Sequence, residues 1–263
     1  MKDPIEEKPY TGITETNNEG TLEFENVTFV YPDGEEPVIK NVSFSAKKGE
    51  TIAFIGSTGS GKSTLINLIP RFYDVTAGSI RIDGIDVRKF NLKALRKKIG
   101  FIRQKNLLFT GTIKSNIKFG KPHATHDEVE HSARSAKAND FITNKEKGFD
   151  EPISEGGSNV SGGQKQRLSI ARALVRKPEI YIFDDSFSAL DFKTDANLRA
   201  ELSKITKNAT VFIVAQRINT ILNADQIIVL DEGKVVGKGT HNELMKNCEV
   251  YKEIALSQLS EEE

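Results

Sequence analysis

The stretch "TIAFIGSTGSGKS", Thr51 to Ser63, decides how this chain is read. Thr51 to Ile55 form an unbroken, mainly apolar run, the pattern of a buried strand. That run passes directly into a loop with glycine at 56, 59 and 61. Helical periodicity follows in "KSTLINLIPRFY". A strand before and a helix after give the G-x-x-x-x-G-K-S spacing its chemical meaning. Gly56, Gly59 and Gly61, with Ser57, Thr58 and Ser60 between them, let backbone N–H groups converge on phosphate oxygens. Lys62 can reach the β- and γ-phosphates, the Ser63 hydroxyl can ligate Mg²⁺, and Thr64 continues the cradle. The bland alternative is a flexible Gly/Ser turn with an exposed lysine, and the flanking elements disfavour it. Alone, the motif implies a nucleotide phosphate and no more.

Composition sets the limits around that loop. The 263 residues can bury one large core or two small ones. Lys plus Arg and Asp plus Glu both number 37, so no bulk positive field exists to hold nucleic acid. The single cysteine, Cys248, excludes an internal disulfide framework and fits a reducing compartment. No apolar run approaches the length of a membrane span. The opening "MKDPIEEKPYTGITETNNEG" lacks the apolar centre of a signal peptide and reads as a polar linker.

Outward from the loop, "TLEFENVTFVY" and "VIKNVSFSA" alternate as half-buried strands, and "GSIRIDG" is another. "NLKALRKKIGFIRQ" reads as a helix leading into a strand. Residues from about 106 to 175 are mainly helical: "HDEVEHSARSAKANDFI" reads as one helix, and "SGGQKQRLSIARALVRK" as another, closed by Pro178. After the strand "IYIF" come "TVFIVAQ", "QIIVLDEG" and "KVVGKG", with a helix expected between the first two. The alternation predicts an α/β fold with a parallel sheet, and the front end adds antiparallel strands.

Two further features gather around the phosphate loop. Asp184 ends an apolar strand, at the sheet edge where open α/β sheets place ligands, and can support Mg²⁺ beside Ser63. In "NVSGGQKQR", Ser161 stands where a helix N-cap is expected, followed by Gly162 and Gly163. This second anion-binding helix start is most economically read as meeting phosphate held by another copy of the domain.

In this order, "GSTGSGKS", "VSGGQ", "YIFDD" and "SALD" resemble the nucleotide-binding domain of an ATP-binding-cassette (ABC) transporter, over about Thr21 to Leu259. "LRKKIGFIRQKNLLFTGTIKSNI" and "SEGGSNVSGGQ" are similar to the exporter branch. The resemblance implies a P-loop NTPase (RecA-like) core with an antiparallel β subdomain and a helical signature subdomain. It also implies a linker over residues 1–20 from an absent transmembrane domain, a cassette over 21–263, and a location at the cytoplasmic face of the cell membrane. ATP and Mg²⁺ are the implied ligands; the implied partners are a second, non-identical cassette and an exporter's transmembrane domains, with no nucleic acid.

Roles carry over residue by residue. Tyr31 matches the aromatic that stacks on adenine. Gln104 matches the glutamine that reaches Mg²⁺ and the attacking water, and here Arg103 precedes it where the family often has proline. Ser161, Gly162, Gly163 and Gln164 belong to the signature that binds the opposite domain's γ-phosphate. Asp191 matches a loop that communicates across the dimer. Two departures matter: Asp185 replaces the usual catalytic glutamate, and Gln216 replaces the usual histidine in "AQR". An aspartate carboxylate falls short by roughly an ångström, a misplacement that can cost on the order of 10²-fold in rate. A glutamine donates a hydrogen bond but cannot become cationic. The expectation is a site that binds Mg-ATP and hydrolyses it slowly, while "VSGGQ" completes a partner's site. A homodimeric exporter with two slow sites and a regulatory nucleotide sensor remain alternatives. A DNA- or ribosome-acting cassette is disfavoured by the balanced charge and by the absence of a coiled-coil insertion.

Overall fold

A computed structural model describes residues 12–17 and 19–259. Of the linker expected over 1–20, residues 1–11 and 18 lie outside the described residues, as does the acidic end, 260–263. Strands β1 (Leu22–Phe29), β2 (Ile39–Ala46) and β3 (Thr51–Ile55) precede the glycine loop and α1 (Lys62–Leu68). Then come β4 (Ala77–Ile82), β5 (Ile85–Asp86), α2 (Leu92–Lys97) and β6 (Ile99–Ile102). A mainly helical insert carries β7 (Gly111–Thr112), α3 (Ile113–Lys118), α4 (His126–Ser135), α5 (Asn139–Thr143), β8 (Pro152–Ile153) and α6 (Gly162–Leu174). The rest runs β9 (Ile180–Asp184), α7 (Phe192–Ile205), β10 (Thr210–Val214), β11 (Gln226–Asp231), β12 (Lys234–Gly239), α8 (His241–Asn247) and α9 (Glu249–Leu259).

The expected α/β architecture is present. The central sheet has the order β12-β11-β3-β10-β9-β6, parallel except for β12. An antiparallel sheet, β2-β1-β4-β5, packs beside it, and β7 and β8 form a third small sheet. The parallel strands are apolar on both faces because both faces are covered. Ile52, Phe54, Phe212 and Val214 point into one core with Phe44 and Leu65. Their alternating neighbours Ala53, Ile55 and Ile213 point into the other, with Leu168 and Leu198 from the helices.

Three readings change. The helix expected between β10 and β11 is a single 3₁₀ turn, Ile218–Thr220, because that connection is short. The crossover helix is instead α7, between β9 and β10, which the sequence reading passed over. "HDEVEHSARSAKANDFI" is two helices: Lys137 adopts φ 52, and its N–H donates to Arg134 O while Ala138 N–H donates to Ala133 O. Those two bonds close α4 as a Schellman motif before α5 begins.

The front of the chain is tied down through Asp83. Its carboxylate accepts from Gly20 N at 2.7 Å, from Thr21 N at 3.1 Å and from Thr16 Oγ1 at 2.6 Å. Lys98 Nζ pairs with it at 3.3 Å and with Glu179 at 2.5 Å. The Asp83–Lys98 pair is almost fully buried, so it joins the antiparallel sheet to the β6 and β9 strand starts.

Candidate functional site

The order β3-β10-β9-β6 makes four consecutive strands deliver their following loops to one edge: the glycine loop, Gln216, Asp184 with Asp185, and Gln104. The glycine loop fits only as written. A Cβ on Gly56 would lie 2.0 Å from Leu230 O, and one on Gly61 2.8 Å from the Ile39 side chain. Around Gly59, at φ 85, nothing lies within 4 Å of that position. The loop thus presses on β11 and β2 from behind and opens outward at its tip. Lys62 Nζ donates to Gly56 O and Ser57 O, both at 2.7 Å, so its ammonium stands inside the loop. Tyr31 hydroxyl meets Thr64 Oγ1 at 3.0 Å, and its ring packs edge-on against Phe29 and Tyr73, placing it beside the start of α1.

The two aspartates are not equivalent. Asp184 accepts from Ser63 Oγ at 3.2 Å. Asp185 turns away in a left-handed conformation, φ 45, its N–H donating to Val214 O at 2.9 Å. One oxygen of its carboxylate, Oδ2, accepts from Gln104 Nε2 at 2.8 Å and from Gln216 Nε2 at 3.0 Å. Both departures therefore touch each other directly, an adjacency that no sequence spacing revealed. A cavity of about 110 Å³ opens beside them, lined by Asp185, Ser188, Gln216 and Arg217 among others. Arg217 and Ser188 are site neighbours that the sequence reading missed; Arg217 adds positive potential at Asp185.

Burial pushes both carboxyls above the ordinary aspartate range, and their mutual repulsion raises Asp184 further, against the Ser63 hydrogen bond. Burial also lowers Lys62, opposed by the two carboxylates. A raised folded-state pKa means that ionised Asp185 costs stability, and that this cost grows as pH rises from 3.8 through the raised value. Asp185→Asn, which tolerates the same left-handed backbone, should raise the Tm of the nucleotide-free chain at neutral pH. The gain should shrink towards zero as pH falls below that window. Calorimetric Tm against pH for both proteins checks this, and an equal gain at every pH would contradict it.

The signature stands apart from this cluster, with no hydrogen bond directly joining Ser161–Gln164 to it among the described residues. Ser161 caps α6 by accepting from Gln164 N at 3.3 Å, and Gln164 Oε1 accepts from Ser161 N at 3.1 Å. Gln164's carboxamide oxygen is thereby committed to the cap, while Ser161 and Gly162 are exposed and a Cβ on Gly162 would meet nothing within 4 Å. Asp191 caps α7 through Thr194 N at 2.9 Å, and a Cβ on Gly163 would lie 3.4 Å from Ala189 O and from the Leu190 side chain in the loop before it. Glu155 is exposed in the loop ahead of the signature.

The residues fit a nucleotide with Mg²⁺. Among the described residues no group of three or more His, Cys, Asp or Glu could hold a metal alone. Ser63 and Asp184 instead offer the two-ligand arrangement typical of Mg²⁺ shared with phosphate. Mg²⁺ bound there supplies positive charge to the β- and γ-phosphate oxygens.

A strand–glycine loop–helix unit on a parallel sheet, with a strand-end aspartate on the loop serine, defines a P-loop nucleotide-binding domain. The chain belongs to the ABC transporter family, whose conserved domain matches residues 39–188. It is the ATP-binding domain of that family, an ATPase that takes ATP with Mg²⁺. It is 46% identical over 236 residues, 90% of this chain, to a Staphylococcus aureus protein whose name assigns it provisionally to multidrug export, as an ATP-binding/permease protein. An uncharacterised ABC transporter ATP-binding protein of Mycobacterium bovis is 45% identical over 95% of this chain. The structure of a bacterial Atm1-family ABC exporter with ATP bound superposes with a TM-score of 0.92 at 34% identity, covering 97% of this chain. The chain spans 41% and 42% of the two relatives' own lengths and 45% of that exporter chain.

Proposed function

We propose that this chain is the cytoplasmic ATP-binding part of a membrane exporter, and that its own site binds Mg-ATP but hydrolyses it slowly. The observation that carries this reading is the single carboxylate oxygen of Asp185 held by two neutral amides, Gln104 and Gln216. Lys62, Ser63 and Asp184, the groups that bind phosphate and metal, are in place. What is weakened is the base that orients the attacking water and the cation that would steady the γ-phosphate. Tyr31 is assigned to the adenine, and Gln104 to sensing the metal and the water.

Ser161 to Gln164 are assigned to the γ-phosphate held by a second cassette, because they form a capped, exposed helix start away from their own phosphate loop. An intact signature beside an altered hydrolytic group fits a non-identical partner whose site does the faster work. The permease in the S. aureus relative's name, and the unshared majority of its length, support a membrane-spanning companion. An exposed pair, Phe109 and Phe119, with ring centroids 4.5 Å apart, lies on the helical insert beside the Gln104 loop. Arg172 holds this surface from below by donating to Leu107 O and Asn116 O, and burial lowers its pKa to about 10. It is a suitable contact for that companion. The test is to measure Mg-ATP affinity and turnover separately at this chain's site: tight binding with slow turnover supports the reading, and turnover equal to a glutamate-bearing site contradicts it.

A further inference from the structure

We infer that Gln258, on α9, is a positioning residue for Gln216 and sets the aim of its amide at Asp185. The loop carrying Gln216 leaves the sheet after Val214, and Ala215 makes the last bond to a neighbouring strand, its N–H donating to Phe54 O at 3.2 Å. Beyond that point the Gln258 carboxamide takes over. Its Nε2 donates to Gln216 O at 2.6 Å, and its Oε1 accepts from Ile218 N at 2.7 Å. Donating to the residue before Arg217 and accepting from the residue after it is how a parallel strand pairs. One side chain, 42 residues away, thus extends the sheet by one step beyond its backbone.

The next turn is held by a different helix. Arg199 of α7 donates Nη1 to Asn219 O at 2.9 Å, and its Nε and Nη2 grip the buried Asp195 carboxylate at 2.9 and 3.1 Å. The loop therefore has fixed points at Gln216 O, Ile218 N and Asn219 O. Gln216 itself is exposed, and among the described residues its side chain hydrogen-bonds to Asp185 Oδ2 alone, at 3.0 Å. The backbone position consequently governs where the amide points, and Gln258 governs the backbone at that residue. Displacement of α9 would carry Gln216 with it, which links the end of the cassette to its hydrolytic site.

This rests on the proposed role of Gln216 at the γ-phosphate. The test uses the transporter assembled with this chain, following single-turnover hydrolysis at this chain's own site. Gln258→Met keeps length and packing while removing both hydrogen bonds. It should lower the single-turnover rate by about 10-fold, the scale of a sub-ångström misplacement, and leave half-saturating ATP within about twofold. In a Gln216→Ala background the same substitution should have no further effect. Thermal melting of each variant separates misplacement from unfolding, since a loss confined to the rate at unchanged Tm cannot come from a loosened fold. A wild-type rate for Gln258→Met, or losses that multiply in the double variant, would overturn the positioning role alone. A wild-type rate for Gln216→Ala would overturn both it and the assignment of Gln216.

Discussion

Replacing Asp185 with Glu and Gln216 with His should raise ATP turnover at this chain's own site by about 10²-fold. The geometry explains the size. Asp185 Oδ2 is drawn back between Gln104 Nε2 and Gln216 Nε2, at 2.8 and 3.0 Å. One added methylene carries the carboxylate outward by roughly an ångström, towards where the attacking water must be held. An imidazole at 216 can carry positive charge, and charge-assisted donors are roughly twice as strong as neutral ones. Because both side chains meet at one oxygen, the two substitutions should be non-additive. Stability moves the other way: Asp185 holds φ 45, a backbone that suits a short polar side chain better than glutamate. The strain is about 1 kcal/mol, a fall in Tm of roughly 2–4 °C for a domain this size. Faster turnover with a slightly lower Tm is a paired outcome that a merely stabilising change could not give. Unchanged turnover in the double variant would refute the weakened-site reading.

The second large effect concerns the partner's site. Gly162→Asp should lower total ATPase activity of the assembled transporter by about 10²–10³-fold, the scale of losing a transition-state donor. Gly162 opens α6, and a Cβ there meets nothing within 4 Å. A carboxylate in the first turn of a helix is favourable to that helix, so the fold should survive intact. The new negative charge would face the γ-phosphate brought by the other cassette. Mg-ATP affinity at this chain's own phosphate loop should be unchanged, because Lys62, Ser63 and Asp184 are untouched. Loss of affinity at the own site instead would place the signature in the wrong site.

Much of this was legible in the sequence because it is local. The loop from Gly56 to Ser63, the strand Ile180–Asp184 and the Ser161 cap are short patterns whose chemistry is set by adjacent residues. What was illegible depends on partners far along the chain. Nothing in "YIFDD" shows that Asp185 turns to φ 45, or that residues 104 and 216 both reach one of its oxygens. Gln258 gave no signal at all, since its two bonds span 42 and 40 residues. In the missed α7, Lys193, Asp195, Asn197 and Arg199 alternate with Ala196, Leu198 and Ala200, which blurs the helical spacing of its apolar face. The helix misplaced between β10 and β11 shows the converse error: those two strands flank β3, and the chain passes over the end of β3 with only the 3₁₀ turn Ile218–Thr220. Lys137 broke an apparently continuous helix through a left-handed residue that is not glycine, which periodicity cannot register.

The measurement that bears most directly on the slow-site claim is the identity of the nucleotide at this chain's phosphate loop during turnover. The assembled transporter would be cycled with Mg-ATP, frozen and imaged at a resolution that distinguishes a γ-phosphate. The expected result is intact ATP against Lys62 and Ser63 while the partner's site cycles. ADP in that position, at the same occupancy as in the partner's site, would contradict it.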